Sequence, residues 1–102
     1  MPEPTNLQNL IALTKTSLSI DAGSTLKDTE IENLIKAAIK DLTRQGIQAS
    51  VDTEDELTKT AIILFVKGNF GNVDIKEKQL AQNTYSLLCQ NLGLSEGYEV
   101  EE

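Results

Sequence analysis

The chain has 102 residues, enough for one domain with a modest core. At 39% hydrophobic residues it is too apolar to be read as disordered, and with 4% aromatics and no Trp its interior must be built from Leu, Ile, Val and Ala. Sixteen acidic residues against nine basic ones give a net charge of −7, which argues against a duplex-binding protein, since such proteins carry a basic patch that neutralises phosphates.

The acid excess is uneven. Residues 96–102 hold four Glu and no Lys or Arg, leaving 12 acidic and 9 basic residues, a net of −3, in the remainder. The body is mildly acidic and its end strongly so. The single cysteine, Cys89, cannot form an intrachain disulfide, and an intracellular protein is expected. No apolar run approaches about 18 residues, so no membrane span is expected. The first residues lack the basic-then-apolar order of a secretory signal.

Both prolines, at positions 2 and 4, precede the first expected helix. That helix runs from about Thr5 to about Ser19. Leu7, Leu10, Ile11, Thr14 and Leu18 follow its period, with Thr14 as the weak link. Residues 20–25 then read as a loop around Asp21 and Gly23.

The second helix has the clearest pattern. Ile31, Leu34, Ile35, Ala38, Ile39 and Leu42 make an unbroken stripe. Asp28 or Thr29 is expected to cap its start, with Glu32 completing a capping box after Thr29. Gly46 is placed to end it in a left-handed conformation.

Residues 47–55 connect to a third helix, whose first turn is expected to hold Asp52, Thr53, Glu54 and Asp55, where the helix dipole favours negative charge. Residues 61–66 are apolar on every face, so this segment is expected to be buried on most sides. A buried strand is the rival reading, disfavoured because the chain offers such a strand no partner. Gly68 to Asn72 reads as a two-glycine turn. A fourth helix follows from about Asp74 to about Asn91, with Leu80, Ala81, Thr84, Tyr85, Leu87 and Leu88 as one wide apolar face. Gly93 is expected to end it. The expectation is therefore an all-α fold: a small bundle of about four helices in residues 1–95, followed by a short flexible acidic tail, 96–102.

The inventory offers little for catalysis. With no His, the commonest general base and metal ligand are missing. Cys89 has no His to activate it and reads as a packed thiol. Asp52, Glu54, Asp55 and Glu56 lack the alternating ligands and central Gly of a calcium loop, and read as a solvated helix start. No catalytic residue, cofactor or metal site is expected. Two features exceed what a lone bundle needs. Leu13, Ile47, Val51, Ile63, Val73 and Ile75 fall outside the best stripes, which suggests a second buried surface, as in a ring or dimer. Tyr98 and Val100 stand among glutamates, as docking anchors in a peptide would.

Three stretches, in order, resemble one known family. They are Asp28-Thr-Glu-Ile-Glu-Asn-Leu-Ile-Lys-Ala-Ala-Ile-Lys-Asp-Leu42, Leu57-Thr-Lys-Thr-Ala-Ile-Ile-Leu-Phe-Val-Lys-Gly-Asn-Phe-Gly71 and Tyr85-Ser-Leu-Leu-Cys-Gln-Asn-Leu-Gly-Leu-Ser-Glu-Gly-Tyr98. Together they are similar to the head–tail connector (adaptor) proteins of tailed bacteriophages and prophages, small proteins often labelled DNA-packaging proteins. The resemblance spans roughly residues 5–98. It departs at Lys67, Gly68 and Asn69, where many relatives place bulkier aromatics.

The resemblance implies a structural, non-enzymatic subunit of the virion, sited at the head–tail interface and assembled in the host cytoplasm. It implies a homo-oligomeric ring below the portal protein, a platform for a stopper or tail-completion protein, and DNA passing through without specific binding. A mildly acidic body suits such a channel, because like charge keeps DNA from sticking. Contact residues are sought at Lys67, Asn69, Phe70, Tyr85, Tyr98 and Val100. The alternative reading is a small acidic regulatory module, a DNA mimic or inhibitor of a protein partner. A helix-turn-helix DNA binder is disfavoured because no expected recognition helix is basic.

Overall fold

The computed structural model describes residues 6–21, 23–71 and 73–101, with side chains described as far as Leu92. Four helices follow in order: α1 (Asn6–Ser17), α2 (Asp28–Arg44), α3 (Glu56–Asn69) and α4 (Ile75–Glu101). No strand occurs among the described residues, so the apolar run 61–66 is helical. The fold is the expected all-α bundle.

Helix α3 is its hub, packing against α1, α2 and α4. This position accounts for a segment apolar all round. Ala61, Ile62 and Val66 are fully buried, while Ile63, Leu64 and Phe65 are half-buried. From α2, Ile31, Ile35, Ala38 and Leu42 meet them, again with no exposed area. Leu10 and Thr14 come from α1. Thr14 is tolerated there because its hydroxyl donates to the Leu10 carbonyl at 2.7 Å, so its buried oxygen is paired.

Helix ends explain most departures from the expected boundaries. Lys27 occupies the N-cap of α2 without a side-chain cap, so neither Asp28 nor Thr29 caps it and the capping box with Glu32 does not form. The Asp28 carboxylate instead meets the Lys15 ammonium at 2.5 Å, and Lys15 also donates to the Ser24 carbonyl at 2.6 Å. Lys15 is thereby buried with its charge matched, and the loop between α1 and α2 is tied down. At the other end Gly46 has φ +88°, as expected. Ile47 N–H donates to the Leu42 carbonyl and Gly46 N–H to that of Thr43, which is the Schellman arrangement. It draws Ile47 into the core.

Helix α3 begins after Asp52, Thr53, Glu54 and Asp55, and the acid in its first turn is Glu56. Asp55 is the N-cap, accepting from the Thr58 N–H at 2.9 Å and the Thr58 hydroxyl at 2.8 Å. Asp52 lies in the preceding turn and accepts from the Asn6 side chain, which fastens the start of α1. Gly68 is not a turn residue; it lies inside α3, where Gln82 of α4 packs against it. A Cβ there would stand 2.8 Å from Cγ of Gln82, whose amide donates to the Gly68 carbonyl at 2.7 Å. Helix α4 in turn runs through Gly93 to Glu101 instead of stopping near Asn91. One Gly within a helix costs only about 1 kcal/mol relative to Ala, so it need not end a helix.

Helix α1 closes by the same device as α2, with Ile20 N–H donating to the Lys15 carbonyl and Ser19 N–H to that of Thr16. Here the left-handed position is filled by Ser19, at φ 60°, and not by Gly. Ser19→Gly removes that strain and is expected to stabilise the chain by about 0.5–1 kcal/mol. A thermal melt then shows a rise of several degrees, at about 4–8 °C per kcal/mol for a domain this size.

Candidate assembly surface

The expected contact residues do not form one patch. Phe70 is 1% exposed; it follows the last residue of α3 and fills the core. Asn69 is exposed, but its side-chain amide donates to the Phe65 carbonyl at 2.8 Å, closing the end of α3. Lys67 is half-buried and lines two small grooves of about 160 Å³ each. One groove lies against Ser17, Leu18 and Phe70, the other against Leu64, Leu80 and Thr84. The side chains of Tyr98 and Val100 lie outside the described residues.

Tyr85 holds helices together. Its hydroxyl donates to Asp41 of α2 at 2.6 Å, and its ring meets Phe65 of α3 edge-on, with centroids 5.4 Å apart. The Gln45 amide also donates to Asp41, at 2.9 Å, and reaches the Cys89 sulfur at 3.8 Å. Burial, then the bond to Asp41, pushes the Tyr85 phenol far above its ordinary range. Burial likewise pushes the Cys89 thiol up, against the opposing pull of its contacts with Tyr85 and Gln45. Cys89 is a buried free thiol in the fold, in keeping with its reading as a packed residue.

These shifts set a pH dependence. Both groups hold their protons to higher pH in the folded chain than in the unfolded one, where they lose them from about pH 9 (thiol) and 10 (phenol) upward. Raised folded values contribute stability that is complete below those pH values and declines as pH climbs past them. Urea midpoints measured from neutral pH to above pH 10 should therefore fall at the alkaline end, with a shallower fall in Tyr85→Phe.

The exposed apolar residues overlap only in part with the set expected. Of the six outside the stripes, Ile47 is core, and Val51 and Val73 pack against the core. Ile63 is half-buried, while Leu13 and Ile75 stand out, 48% and 69% exposed. Leu26, Leu57, Leu80 and Leu87 join them in the open. The wide face expected on α4 is two faces. Ala81, Tyr85, Leu88 and Cys89 turn inward, whereas Leu80, Thr84 and Leu87 turn outward. The spacing Ala81-Tyr85-Cys89 carried that division in the sequence.

A further groove, about 410 Å³, lies between the start of α1 and the 51–54 turn. Leu10 and Leu13 line it, with Asp52 and Glu54 opposite and Lys59 beside them. No group of three or more His, Cys, Asp or Glu side chains fit to hold a metal comes together among the described residues. No helix is long and apolar enough to cross a membrane among them either.

A family model described as "Phage connector protein" matches residues 10–99, which takes in nearly all of the four helices. The chain belongs to this family of phage connector proteins. No curated protein and no solved structure matches it. As a phage connector it is a structural component of the bacteriophage head–tail junction, a part of the virion that meets other head or tail proteins. The outward leucines of this connector therefore sit on a protein whose work is contact with others.

Proposed function

We propose that the chain is a head–tail connector (adaptor) subunit that forms a homo-oligomeric ring below the portal. The ring extends the DNA channel and docks the stopper or tail-completion protein, and it is assembled in the host cytoplasm. The match of residues 10–99 to the phage connector family carries this reading. The exposed aliphatic residues of α1, α3 and α4 support it, because assembly gives them a surface to bury against. A closed ring of one subunit type is heterologous, each copy using two different faces.

Electron microscopy of the purified protein, alone and mixed with its portal protein, tests the reading. Rings with an open centre, stacking on the portal, are expected; single small particles in both samples would overturn it. The negative body should keep the channel from holding DNA, so the protein should pass duplex DNA unretained at low salt. The acidic end, 96–102, is assigned to portal docking. Truncation after Leu94 is expected to leave the subunit folded, losing only the helical signal of the last turns of α4, and to abolish portal binding in a pull-down. Undiminished binding would remove that assignment.

A further inference from the structure

Two surfaces at opposite ends of α3 complement each other, and one copy cannot bring them together. The first is the large groove beside the N-terminus of α3. Leu13 stands 48% exposed on its wall, and Asp52 and Glu54 line it. Residues 52–59 carry four acids against Lys59 alone. The second is the start of α4, just past the C-terminus of α3. Ile75 and Leu80 are exposed there, in the first two turns.

Charge at this second surface is reversed. Residues 67–78 hold Lys67, Lys76 and Lys78 against Asp74 and Glu77. The Asp74 carboxylate is turned back to accept the Lys76 N–H at 3.1 Å, as a helix cap. The positive end of the α4 dipole adds to the lysines. With 14 residues in α3, the two surfaces stand about 20 Å apart along a rigid helix.

We infer that the start of α4 in one copy, with Ile75, Lys76 and Leu80, seats in the groove of Leu13, Asp52 and Glu54 on the next copy. The contact is head-to-tail, the kind that closes a ring of identical subunits. It joins exposed aliphatic side chains under a rim of opposite charges, so the apolar part supplies the adhesion and the rim fixes orientation. A nucleic acid is a poor occupant of either surface, because the groove is acidic and the chain as a whole carries −7. The inference rests on the ring proposed above and names the two faces that make it.

Sedimentation velocity of the full chain over a concentration series, with Glu54→Lys, Lys76→Glu and the double variant, tests it. Both positions are exposed, so the helical spectrum should not change. Each single reversal places like charges across the contact and is expected to weaken self-association about tenfold or more, while the double variant regains most of the loss. Ile75→Ser should weaken association as well, with its salt dependence unchanged. Single variants that associate as the wild type does would overturn this interface and leave the ring reading standing. A wild-type chain that stays monomeric at every concentration would overturn both.

Discussion

Ile62→Asp is expected to leave the chain unfolded. Ile62 has no exposed area and sits on the helix that touches all three others. The substitution removes an aliphatic side chain whose burial contributes about 1.5–3 kcal/mol and puts a carboxylate into the hydrophobic core. A chain of this length has only about 5–15 kcal/mol of stability to lose. Ile35→Asp, on the facing stripe of α2, should act in the same way. Circular dichroism at 25 °C would show lost helicity in both, and Ile75→Asp provides the control. Its side chain is 69% exposed and opens α4, so a new acid there costs nothing by burial and suits the helix dipole. A folded Ile62→Asp would mean that α3 is not the centre of the core.

Phe70→Ala comes next in size and decides between two roles for one residue. Its position in a turn after an apolar helix makes the ring look like a contact for a partner. At 1% exposed it is instead a core side chain, and truncation is expected to cost about 3–5 kcal/mol. That should lower the melting temperature by well over 10 °C, at about 4–8 °C per kcal/mol. A partner-contact residue would behave otherwise, leaving the melt unchanged and weakening assembly. Comparing the melts of Phe70→Ala and Lys67→Ala separates the cases, because Lys67 at the groove edge contributes little to folding.

How far the fold was readable depended on whether a residue's neighbours in sequence were also its neighbours in space. The α2 stripe from Ile31 to Leu42 and the left-handed Gly46 depend on local period and backbone geometry, and both stand as expected. Gly68 depends on something else. It is a glycine because Gln82 of another helix presses against it, and composition alone presents that as a turn. Ile47 looked like a spare aliphatic because its burial comes from how the chain folds back at the end of α2. Likewise Asp28 was drawn from a capping role by Lys15, thirteen residues earlier. The acids before α3 were read as a first turn because only Asp55 among them caps, and local charge alone does not single it out.

The candidate surface was less readable than the fold. The sequence pointed to apolar excess, which is correct in kind, but named mainly side chains that the subunit uses for itself. Leu80 and Leu87 were hidden inside a face that looked continuous. Only the four-residue spacing of Ala81, Tyr85 and Cys89, the buried positions of α4, divides it. Lys15 gave no signal either, since an isolated Lys among polar residues looks solvated until its partner is known.

What a connector does is most directly visible in phage that lack it. Electron microscopy of lysates from a phage unable to make this chain should show heads and tails accumulating side by side, unjoined, with joining restored when the chain is supplied in trans. Infectious tailed particles at the normal yield without it would contradict a structural role at the head–tail junction.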